Sequence, residues 1–106
     1  MERIYNKLVR DKIPEIIEKN GEKAIISYLD DAEYKKELEK KLLEEYKEVI
    51  ASSGKERIEE LADMLEVIKY LSKLENSSLN EIIKISEEKN IKRGSFEKKI
   101  FLKKIL

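Results

Sequence analysis

The sequence predicts an all-α protein, mainly an antiparallel helix bundle with short extended segments at the N- and C-terminal ends. Three observations predict it. Charged residues make up 43% of the 106 residues, with only three Gly and one Pro, whereas ordinary globular chains carry roughly 25% charge. Two long stretches repeat apolar residues at spacings of three and four, the period of one face of a helix. Three segments open on a short polar residue followed three positions later by Glu, the signature of a capping box: Asp30 with Glu33, Ser53 with Glu56, and Ser78 with Glu81.

The elements follow in order. Ile4 to Arg10 has no helical period and reads as extended. Pro14 suits the first turn of a helix running to about Asn20, where Gly21 ends it. Ala24 to Leu29 carries β-branched and aromatic residues and reads as a strand or an extended arm. From Asp30 a long helix runs to about Ala51, broken by Ser52-Ser53-Gly54, and so short a turn folds the next helix, about Lys55 to Leu74, back on it. A further helix opens at Ser78 and ends near Arg93-Gly94. Ser95 to Leu106 reads as either an extended segment or a terminal helix docked on the body or on another subunit. Residues 1–106 form a single domain, whose modest core suggests self-association.

Composition excludes much chemistry. With no Cys and no His, disulfides, thiolate or imidazole metal ligands and His-based triads are all ruled out. A bound metal must be held by oxygen, which points to hard cations: Mg²⁺, with Mn²⁺ as the alternative. No apolar stretch reaches transmembrane length and no signal-peptide pattern opens the chain, so no membrane association and a cytoplasmic location are expected. The net charge of zero argues against a nucleic-acid partner. It conceals a separation: Asp30 to Glu66 holds thirteen acidic against seven basic residues, while Lys89 onward holds seven basic against Glu97 alone.

The chemistry sits in the seams. Leu38, Leu42, Glu45 and Val49 are spaced as a buried helix stripe, so a glutamate occupies a core position. Glu60, Met64, Val67, Leu71 and Leu74 repeat the spacing, again with an acid in the seam. Each seam glutamate has a second carboxylate three residues on, Glu48 and Asp63, projecting from nearly the same face. Four carboxylates converge if the two helices pack antiparallel. Burying them costs several kcal/mol per ion unless a cation offsets the charge, and a divalent metal does so while substrate phosphates complete its shell. The competing reading is a solvated face, with these acids paired to Lys40, Lys41, Lys47, Lys69 or Arg57.

Glu44-Glu45-x-x-Glu48, a spacer and Glu60-x-x-Asp63 resemble the signature of the MazG-like all-α nucleoside triphosphate pyrophosphohydrolases. Tyr5-Asn6-Lys7-Leu8-Val9-Arg10-Asp11-Lys12-Ile13-Pro14 and Lys92-Arg93-Gly94-Ser95-Phe96 look like a MazG-related, phosphoribosyl-ATP pyrophosphohydrolase-like subgroup, so the resemblance covers nearly the whole chain. It implies Mg²⁺-dependent cleavage between the α- and β-phosphates of a nucleoside triphosphate or related phosphoribosyl nucleotide, releasing a monophosphate and pyrophosphate, with nucleotide-pool house-cleaning as one use. By the same resemblance Glu45, Glu48, Glu60 and Asp63 are metal ligands, Glu44 and Glu45 serve catalysis, and the chain assembles as a homodimer or homotetramer. Lys7, Arg10, Lys12, Lys92 and Arg93 are the candidates for binding phosphate oxygens, and Tyr5, Tyr28, Tyr46, Tyr70 or Phe96 for stacking on a base. The alternative function is a helical protein–protein interaction module without catalysis.

Overall fold

The computed structural model describes residues 2–106. It holds four helices, α1 (Ile13–Lys19), α2 (Asp31–Ala51), α3 (Gly54–Leu74) and α4 (Leu79–Arg93), and no strand among the described residues. The all-α expectation holds. Residues 24–29 pair in no sheet and carry no regular secondary structure, and the chain beyond Arg93 has one turn at 97–98 rather than a terminal helix.

Local signals set most helix ends. The Asp30 side chain accepts from the Glu33 N–H at 2.8 Å while Glu33 accepts from the Asp30 N–H at 3.2 Å, a complete capping box. Ser78 Oγ accepts from the Glu81 N–H at 3.1 Å. The third box does not form: Ser53 is the N-cap of α3, yet its side chain makes no capping bond. Gly54 enters the helix with φ +59°, a left-handed residue in the turn, and the connection is held instead by its neighbour. Ser52 Oγ donates to the Val49 carbonyl at 3.2 Å, and Arg57 Nε donates to the Ser52 carbonyl at 2.8 Å. α1 and α3 both close in Schellman turns, with Gly21 and Asn76 in the left-handed region and bonds Glu22 N–H to Ile17 O and Ser77 N–H to Ser72 O.

Because the α2–α3 link is two residues long, the helices fold back side by side, and α4 packs on α3. The predicted seams face the hairpin interface over most of their length: Leu38, Glu45 and Val67 are buried, Leu42, Val49, Glu60, Met64 and Leu71 are half-buried, and Leu74 at the end of the second seam is exposed. Leu38 and Val67 are the only buried apolar residues among the described residues. The radius of gyration is 18.3 Å, against about 13 Å for a compact domain of this length. Much apolar side-chain surface therefore lies open, including a second stripe of Leu43, Tyr46 and Ile50 on α2 and Ile58, Leu61 and Leu65 on α3. No helix among the described residues is long and apolar enough to cross a membrane.

Candidate metal centre

The acids of the two seams meet where α2 and α3 face each other. Carboxylate oxygens of Glu45, Glu60 and Asp63 lie within 4.8 Å of one another. Glu45 is buried at 8% exposure, and Glu60 and Asp63 are half-buried. The position of Glu45 follows from Leu38 and Val49, which lie seven residues before and four after it on the same helical face and turn it inward. Glu60 and Asp63 sit one turn apart on α3, on the same side as Met64 and Val67.

Glu48 stays outside this close cluster. It is exposed, but near enough for its charge to help raise the carboxyl pKa of Glu60. Glu44 belongs to a different set of contacts: Lys7 Nζ donates to it at 3.0 Å, and Lys41 Nζ lies 3.6 Å away. Arg10 Nη2 donates to Asp63 at 2.8 Å. Two of the five predicted cations are thus brought to the acids from the N-terminal segment, each across a long stretch of sequence. Lys12 is the N-cap residue of α1 and makes no side-chain bond there. Lys92 and Arg93 lie in the last turn of α4 and form no ion pair among the described residues. The structure therefore does not join them to the acidic cluster.

Electrostatics separates the acids. Burial pushes the Glu45 carboxyl above its ordinary value; Lys41 draws it back, and the charges of Asp63, Glu44 and Glu60 raise it further. Glu60 is raised too, by desolvation first and then by Asp63 and Glu48. Glu44 moves the other way: partial burial pushes it up, but the Lys7 hydrogen bond and the charges of Lys41 and Lys7 together outweigh that. Lys7 is raised in turn, chiefly by its bond to Glu44. Glu44, paired with Lys7 and Lys41, thus stands beside Glu45 and Glu60, whose carboxyls neighbouring acids raise, while Asp63 is paired with Arg10.

The competing pairing of these acids with helix cations occurs in part. Lys41 reaches Glu45 at 3.8 Å as well as Glu44. Lys40 pairs with Glu37, Arg57 serves the Ser52 carbonyl and Lys69 lies 5.9 Å from the Tyr70 ring centre; among the described residues neither these nor Lys47 forms an ion pair with the cluster. Sequence reasoning missed that Lys7 and Arg10 would pair with Glu44 and Asp63. Nothing local signals such long-range pairs. Comparison with known proteins returned no matching family model, no matching curated protein and no matching solved structure.

Proposed function

We propose that the chain is a Mg²⁺-dependent nucleoside triphosphate pyrophosphohydrolase, cleaving the α–β phosphoanhydride to give a nucleoside monophosphate and pyrophosphate. The observation that carries this reading is the convergence of Glu45, Glu60 and Asp63 on one point of the hairpin seam, around a carboxylate that burial leaves poorly hydrated. The donor set fits a hard cation. All three ligands are carboxylate oxygens, and an octahedral ion with ~2.1 Å bonds separates neighbouring ligands by about 3 Å and opposite ones by about 4 Å, a spread close to that of the cluster. Glu48, exposed but close enough for its charge to act on Glu60, is the fourth acid of this reading, and Mn²⁺ suits the same donors.

When bound, Mg²⁺ supplies polarisation of the phosphate oxygens and acidification of a water. The protein's own groups do the rest under this reading. Glu45, the buried acid of the cluster, would accept a proton from the attacking water at its carboxylate. Glu44, held by Lys41, orients that water. The water oxygen bonds to the attacked phosphorus, the bridging P–O bond breaks, and pyrophosphate leaves with the electron pair. Lys7 and Arg10 stand beside the acids in exposed ion pairs, which cost little to exchange, and they can turn to incoming phosphate oxygens. Lys12, Lys92 and Arg93 complete the candidate anion contacts. The reading includes a homodimer or homotetramer, supported by the small core, and a house-cleaning role toward noncanonical nucleotides.

The test is a screen of nucleoside triphosphates with Mg²⁺, scored for monophosphate and pyrophosphate. Glu60→Gln is expected to abolish pyrophosphate release while leaving the helical circular dichroism unchanged; full turnover in that variant overturns the proposal. A second reading, a helical interaction module, draws support from the exposed apolar stripe of Leu43, Tyr46, Ile58 and Leu61. It expects no carboxylate-dependent heat on titration with Mg²⁺ or Mn²⁺.

A further inference from the structure

We infer that the end of α4 and the residues just after it form a site for a free nucleoside monophosphate, held by its phosphate and its base without a metal ion. The inference does not rest on the hydrolase reading. Ser86, Lys89, Asn90, Arg93, Ser95 and Phe96, together with Gly94, line one cavity of about 380 Å³, and no residue of the acidic cluster is among them. Small-molecule sites run from ~300 to ~1,000 Å³, so the space suits a single nucleotide. Arg93 is among the candidate anion contacts, and this cavity gives it companions and a ligand apart from the acids.

Local structure builds the cavity. Residues 86, 89, 90 and 93 recur at helical spacing and share one face of α4. That face opens with Leu79, Ile82 and Ile83, and cations and an amide replace the apolar residues toward its end. Gly94 takes φ +80° and ψ 175°, a backbone region essentially closed to residues with a Cβ, and the chain leaves α4 so that Ser95 and Phe96 line the same cavity.

Chemistry selects the ligand. The lining carries two positive charges and no acid; Glu87 and Glu88, at other helical positions, do not line it. Neither Lys89 nor Arg93 forms an ion pair among the described residues. Cations near a helix C-terminus ordinarily offset its dipole, but that end carries only about half a negative charge, so a positive excess remains. A phosphate monoester brings about −1.5 to −2 near neutral pH, which matches two cations, and the Arg93 guanidinium can hold two of its oxygens at once. Phe96 is 99% exposed, and a base is the flat group that covers its ring. An apolar partner would cover that ring only by burying two cations unpaired. Ser86, Asn90 and Ser95 offer donors and acceptors to base edges and ribose hydroxyls.

The test uses the full chain in EDTA buffer and reads binding alone, so its outcome is independent of Mg²⁺ and of turnover. Adenosine 5′-monophosphate is titrated against isotope-labelled protein and followed by amide NMR shifts and calorimetry, with adenosine, inorganic phosphate and an oligoadenylate as further probes. Saturable shifts are expected at Lys89, Asn90 and Ser95 and not at Glu45, Glu60 or Asp63, with the monophosphate bound more tightly than adenosine or phosphate alone. Arg93→Gln is expected to weaken binding at least ~10-fold, as for loss of a charged hydrogen bond, and Phe96→Ala at least ~5-fold, as for loss of a stacked base. Both side chains are exposed, so circular dichroism should be unchanged. The proposal is overturned if the monophosphate does not bind saturably, if inorganic phosphate binds equally well, if the shifts centre on the acidic cluster, or if both variants bind like the wild type. Far tighter binding of the oligoadenylate also overturns it and assigns the surface to RNA.

Discussion

Arg10 donates a 2.8 Å hydrogen bond from Nη2 to Oδ1 of Asp63, tying the N-terminal segment to α3 across 53 residues of sequence. Lys7 makes the matching tie to α2 through Glu44. A segment with no secondary structure is thereby laid across both helices that carry the acidic cluster, and its cations are delivered to that cluster.

Removing that tie separates stability from function. Both partners are substantially exposed, and such pairs contribute about 0–1 kcal/mol. Arg10→Gln should therefore change the melting temperature little, while Mg²⁺-dependent pyrophosphate release falls at least ~10-fold for loss of one charged phosphate contact. Thermal melts and steady-state rates on the same preparation check it. A large loss of stability with normal turnover per folded molecule would assign Arg10 a purely structural role.

Glu45→Gln should act in opposite directions with and without metal. In metal-free buffer it removes a buried charge facing Glu60 and Asp63 and is expected to stabilise the fold by on the order of 1 kcal/mol. Calorimetric titration with Mg²⁺ should show affinity lowered at least ~10-fold, as expected when a charged ligand is lost. Equal affinity in the variant would remove Glu45 from the site.

The pH dependence follows from the same groups. The folded-state carboxyl values of Glu45 and Glu60 lie above their ordinary 4.5, so below 4.5 they cost the fold nothing, and they destabilise it progressively as pH rises through their folded values. Glu44 lies below 4.5, and the stability it contributes is present above 4.5 and lost as pH falls through its folded value. Metal-free melting temperatures should therefore decline as pH rises from weakly acid toward neutral. Added Mg²⁺ should reverse the decline, because the ion requires ionised ligands. Melts between about pH 4 and 8 with and without Mg²⁺ read this directly, and in Glu45→Gln the metal-free decline should be shallower.

The helix caps supply a contrast between two residues that the sequence treats alike. Asp30→Ala removes a side-chain bond that the structure contains and should cost ~1 kcal/mol. Ser53→Ala removes none and should stay within about 0.5 kcal/mol. Equal losses in denaturant melts would restore the capping box at Ser53.

Helices were legible because their determinants are local. Apolar spacing, Pro14, Gly21 and the Asp30 and Ser78 caps each act within one turn, and the structure follows them to within a residue or so. The seam placement of Glu45 and Glu60 was legible for the same reason, since a helical period says which side chains share a face. Where the local signal was ambiguous it misled: Ser53 with Glu56 has the capping pattern, but Gly54 at φ +59° makes the turn another way.

The sequence by itself thus determined four helices, a short break at Ser52-Ser53-Gly54 and an acid in each seam. Only the tertiary structure decided which carboxylates meet. Glu45, Glu60 and Asp63 come together and Glu48 stands aside, because the packing of α2 on α3 turns Glu45 inward and leaves Glu48 at the edge. It also decided that Lys7 and Arg10 reach the acids while Lys92 and Arg93 do not pair with them. Contacts between residues distant in the chain depend on how helices pack and where an irregular segment is laid, and no periodicity within a single element encodes either.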